Sequence, residues 1–166
     1  MRLPLLESEP LAIYLTDHLA GSTAGFELAR RLAANNRSND YGPELATIAQ
    51  EVGEDRQTLI DLMRRLGIEP DRLKNAVLWG AEKLGRVKFN GNPLRYSPLS
   101  RLEEIEMLLL GVHGKLAAWR ALRDTRAHDE RLRGIDLEAL IARADSQRER
   151  LDHQRVSAAR EAFASR

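Results

Sequence analysis

His18, Asp55, Glu106 and His113 are the residues of this chain best suited to chemistry, two imidazoles and two carboxylates on segments of helical period. That donor set suits zinc or iron, with manganese a further candidate. Arg56, Arg148 and Arg155 offer a different chemistry, because guanidinium groups grip a small anion through paired hydrogen bonds. A third reading joins these groups to one another. His18, Ser22, Asp55, Arg56, Glu106, His113, Arg148 and Arg155 would then form one buried polar network, with the arginines at 148 and 155 held by Asp55 and Glu106. An isolated charge in such a layer costs several kcal/mol, so the groups should be paired or wet. The permanent charge of arginine opposes a metal ion in the same layer, so internal pairing is the preferred reading and no cofactor is expected.

Other chemistry is thinly represented. The chain has no cysteine, which removes disulfides, thiolate metal sites and thiol catalysis. Neither an HExxH motif nor a phosphate-binding glycine loop is present, and no serine, histidine and aspartate can be chosen as a triad. Gly21, Ser22, Ala24 and Gly25 lack the strand and spacing of a nucleotide cradle. They are read as permitting close helix packing in preference to lining a cavity.

Four long amphipathic helices must position these residues. Pro10 opens the first, expected over 10–34, whose inner face carries Leu11, Leu15, His18, Ser22, Phe26, Ala29 and Ala33 at about 100° per residue. Gly42-Pro43-Glu44 opens the second, expected over 43–67, with Leu45, Ile48, Val52, Asp55 or Arg56, Leu59, Met63 and Leu66 inward and Gly67 as its stop. Ser97-Pro98 and the capping-box spacing of Ser100 and Glu103 open another, expected over 98–123. Its seam is Leu102, Ile105, Leu109, Val112 and Leu116, widened on one side by Glu106, Leu110, His113 and Ala117. Asp136 caps the last, expected over 136–164, with a seam of Leu137, Ile141, Ala144, Arg148, Leu151, Arg155, Ala158 and Ala162. Between the second and third, residues 68–98 are long enough for a crossover along the bundle, with a helix of their own over 71–86.

Two helical hairpins joined by a long crossover resemble the ferritin-like four-helix bundle, over about Pro10 to Phe163. The strings YLTDHLAGSTAG and ELATIAQEVGEDRQTL resemble an uncharacterised bacterial branch of that superfamily. The resemblance implies an all-α, up-down bundle forming a single domain over 1–166, without an established activity. The superfamily's di-metal site needs a Glu-x-x-His pair on each of two helices. Here the residues three before His18, His113, His128 and His153 are Leu15, Leu110, Thr125 and Arg150. Glu149 and His153 lie one turn apart but point off the seam.

The formal net charge of +1 gives no bulk case for binding nucleic acid or an anionic membrane. No apolar run reaches the roughly 20 residues of a membrane span, and Pro4, Glu7 and Glu9 spoil a signal peptide. A cytoplasmic protein is expected. Residues 71–101 collect Arg72, Lys74, Lys83, Arg86, Lys88, Arg95 and Arg101 against Asp71 and Glu82, interleaved with Trp79, Phe89 and Tyr96. Such a stretch suits nucleic acid. A solvated face, or a homodimer formed against the acidic 1–61 region, is preferred. The sequence thus predicts a non-enzymatic bundle acting through self-association or a partner, with a metal- or small-ligand-binding bundle, redox active or not, as the alternative.

Overall fold

The computed structural model describes residues 9–68, 96–125 and 129–164, and all the regular structure among them is helical. Four long helices run over Glu9–Asn36 (α1), Gly42–Arg65 (α2), Pro98–Thr125 (α3) and Leu137–Phe163 (α4), with a 3-10 turn at Glu130–Leu132 before α4. The helix expected over 71–86, the basic residues 71–95 and His128 lie outside the described residues. The ends follow local chemistry. Gly67, at φ +71, closes α2 in a Schellman arrangement, its N–H donating to Arg64 O and that of Ile68 to Met63 O, each at 3.0 Å. The Asp136 carboxylate accepts from the Ala139 N–H at 3.0 Å, capping α4. The cap of α3 is Ser97, whose hydroxyl accepts from the Ser100 N–H at 3.1 Å, so the signal lies three residues before the expected box. α1 runs two residues past its expected end because Asn36 is itself held: its amide donates to Leu32 O and to the Tyr96 hydroxyl, both at 2.8 Å.

α1 packs along α2, α3 along α4, α1 also along α3, and α2 meets α4 more sparingly. The apolar core falls into two clusters. One joins Leu15 and Leu19 of α1, Leu62 and Met63 of α2, Trp119 and Leu122 of α3, and Leu137 and Ile141 of α4. The other joins Leu28 and Leu32, Leu45 and Ile48, Leu102 and Ile105, and Leu151 and Ala158. The start of α1 therefore meets the end of α2, the end of α3 and the start of α4. α1 and α4 run one way, α2 and α3 the other, so α2 ends and α3 begins at opposite ends of the bundle.

Two helix faces differ from expectation. On α3 the flank of Glu106, Leu110, His113 and Ala117 is exposed, with Leu110 at 64%. The buried flank carries Leu108, Lys115, Trp119 and Leu122. Both flanks contain apolar residues at helical spacing, and the expected widening of the seam falls on the flank opposite to the buried one. On α4 the seam steps from Ala144 to Gln147 to Leu151, leaving Arg148 only partly covered.

Candidate functional site

Between the two apolar clusters lies a polar layer built around Asp55 of α2, which is 2% exposed. The Lys115 ammonium of α3 reaches Asp55 Oδ2 at 2.5 Å and also donates to Gln147 Oε1 on α4. Gln147, fully buried, donates from Nε2 to Asp55 Oδ2 and Glu51 Oε2, each at 3.1 Å. The guanidinium of Arg143 pairs with Asp55 Oδ1 and, at 3.2 Å, with Glu54. Arg150 bridges Glu51 and, at 2.9 Å, Glu44. Three helices are thereby tied across their centres. Burial pulls the Lys115 pKa below the usual range of an ammonium, and the Asp55 carboxylate opposes that fall. For Arg150, burial works against the charge, but Glu51 and Glu44 outweigh it and hold its pKa above the ordinary value.

The residues singled out in the sequence reach different places. Asp55 is at the heart of the layer. Arg148 and Arg155 lie at its margin and pair within their own helix, with Asp145 at 3.2 Å and Asp152 at 2.8 Å, so neither meets Asp55 or Glu106. Glu106 and His113 point outward. His18 is half-buried, its ring edge-on to Tyr14 at 4.5 Å between centroids, and burial lowers its pKa against the opposing pull of Asp17. The Ser22 hydroxyl donates to Leu19 O at 2.9 Å. Arg56 Nε donates to Thr23 Oγ1 at 3.0 Å. Lys115, Gln147, Arg143, Glu51 and Arg150 were not foreseen. The one signal for Lys115 was its rarity: the chain has four lysines, and the other three are at 74, 83 and 88.

Beside the layer, a cavity of about 430 Å³ opens between α1, α2 and α3. Leu15, Leu59, Leu108, Val112 and Trp119 line it, and His18, Asp55, Arg56 and Lys115 stand in its walls. Gly21 and Gly25 of α1 and Gly111 and Gly114 of α3 complete it. A Cβ added at any of the four meets nothing within 4 Å. The close packing expected of the α1 glycines is therefore absent, because no neighbouring helix approaches them. It occurs instead at Gly53, where an added Cβ would come within 2.7 Å of the Phe26 ring.

Among the described residues, fold and site together define four long helices with a salt-bridged centre and a lateral cavity. Comparison with protein-family models, with characterised proteins and with solved structures finds no match. A di-metal centre does not fit these residues. The middle of the bundle presents an ammonium, a carboxamide and guanidinium groups around one buried carboxylate. No group of three or more His, Asp or Glu side chains among the described residues is placed to hold a metal ion.

Proposed function

We propose that the chain is a ferritin-like bundle in which a salt-bridged layer replaces the metal pair, and that it binds a small apolar molecule in its lateral cavity. The bundle reading is supported by the order of the helix ends. α2 ends at one end of the bundle and α3 starts at the other, so the two ends to be joined lie a bundle length apart. Helix ends so placed are what a long crossover joins.

The cavity carries the binding reading. Its volume of about 430 Å³ lies within the roughly 300–1,000 Å³ of small-molecule sites, and its walls are largely apolar. Four glycines inside helices sacrifice about 1 kcal/mol each relative to alanine. No packing contact requires them, so they are explained by the space they keep open. This favours a ligand-binding bundle over one that works through self-association alone.

Filling the cleft tests the reading. The neutral dye N-phenyl-1-naphthylamine should bind the wild-type chain with a rise in fluorescence. Gly111→Leu should abolish that rise while leaving the melting temperature unchanged or higher. Binding that survives Gly111→Leu and Gly21→Leu alike would sink the proposal.

A further inference from the structure

The inference that follows rests on the cavity reading above and concerns what the ligand must carry. Two of the cavity's ionisable groups already have their charge compensated: Lys115 by Asp55, with a further bond to Gln147 Oε1, and Asp55 by Lys115 at Oδ2 and Arg143 at Oδ1. Asp17 lies at the exposed edge on α1. Arg56 is different. No carboxylate among the described residues lies within ion-pair distance of it, and its single side-chain bond is the one from Nε to Thr23 Oγ1 at 3.0 Å. The Thr23 hydroxyl donates to Leu19 O at 2.9 Å, which leaves the oxygen's lone pairs for Arg56. The guanidinium is thus anchored through Nε, and its two terminal nitrogens are unclaimed by any of the described residues.

A second donor is also unmet. Trp119, 2% exposed, lines the cavity, and its indole N–H has no acceptor among the described residues. A buried donor without a partner costs about 1–3 kcal/mol. Asp55 Oδ1 also accepts no hydrogen bond, but its charge is met by the Arg143 guanidinium, so the two groups left uncompensated, Arg56 and the Trp119 N–H, are donors and call for an acceptor. A guanidinium with two free nitrogens is matched by the two oxygens of a carboxylate. The remaining wall, Leu15, Leu59, Leu108 and Val112, asks for hydrocarbon.

We propose that the cavity takes an amphipathic monocarboxylate, with its acid group on Arg56 and its hydrocarbon body along the leucine, valine and Trp119 wall. Two probes of equal chain length separate head from tail: octanoate and 1-octanol, titrated calorimetrically into the full chain. Octanoate should bind at least about tenfold more tightly than 1-octanol, the scale of one charge-assisted pair. Arg56→Met should reduce octanoate to the level of 1-octanol and leave 1-octanol unchanged. Arg56→Lys, which keeps the charge and loses the paired donors, should fall between, and it serves as the test if the methionine variant fails to fold. Gly111→Leu should remove both ligands. Equal affinity for the two probes, or octanoate binding indifferent to Arg56→Met and Arg56→Lys, overturns the carboxylate inference while leaving the cavity in place. Failure of both probes to bind the wild type, or binding of both that persists in Gly111→Leu, overturns the cavity reading itself.

Discussion

Lys115 shows how much a single side chain governs here. Its side chain is 15% exposed and its ammonium pairs with a carboxylate that is 2% exposed, so removing it leaves that carboxylate to Arg143 and Gln147 alone. Lys115→Met should lower unfolding free energy by about 1.5–3 kcal/mol, read in urea, the scale of a hydrogen bond to a charged group, because Arg143 still faces the carboxylate. Adding Asp55→Leu should recover part of that loss, although Arg143 then loses one partner. His18 sets a different expectation. Burial lowers its pKa, so below its ordinary value of about 6.5 the unfolded chain binds the proton more readily than the folded one. Stability contributed by neutral His18 is therefore present at pH 7 and lost as pH falls through 6.5 and below. Melts between pH 7 and 5 should show a smaller decline in His18→Gln than in the wild type. A steeper decline in the variant contradicts the assignment. At this scale the sequence was least legible. Asp55 was read correctly as inward, but its partners were not, because a lysine and a glutamine at helical spacing look like solvent-facing residues. Arginines 148 and 155 fell on a seam that in fact steps through Gln147.

At the scale of elements, helix identity and extent were legible to within about two residues, since proline, glycine and aspartate mark the ends by mechanisms that act locally. Asp136 and Gly67 do in the structure what their types imply. What the pattern did not resolve was rotation about the helix axis. α3 has apolar residues on both flanks of its seam, and only contact with α1 and α4 decides between them. The small residues of α1 were ambiguous for the same reason: a glycine in a helix permits either a close neighbour or none. Alanine substitution separates the two cases. Gly21→Ala and Gly111→Ala should each raise stability by about 0.5–1 kcal/mol, because helix propensity improves and no atom stands within 4 Å of the new methyl. Gly53→Ala should destabilise, since its Cβ would lie 2.7 Å from the Phe26 ring. Chemical denaturation of the three variants checks the signs, and a destabilised Gly111→Ala would show that the cleft is not open.

Across the whole molecule, the polar layer separates two apolar cores, and ion pairs rather than leucines hold the helices in register at the middle. A second tie closes the far end: Arg101 donates to Asn36 at 2.6 Å and to Glu161 at 2.6 Å, while the Tyr41 hydroxyl donates to Glu161 at 2.8 Å. A ligand in the cleft would lie beside the layer and touch both cores through Leu15 and Leu108. Occupancy should therefore protect the bundle as a unit. Octanoate at about a hundred times its dissociation constant should raise unfolding free energy by about 2.7 kcal/mol, with one cooperative transition retained.

The scarcity of lysine has one more consequence. Arginine outnumbers it heavily, and Lys115 is the single lysine among the described residues. Its amine is shielded from reagents as long as Asp55 and Gln147 hold it. Acylation by a succinimidyl ester, followed at this residue by peptide mass spectrometry, would thus act as a clock on the opening of the bundle's centre. Its rate in the native protein would time an event that no exposed side chain can report.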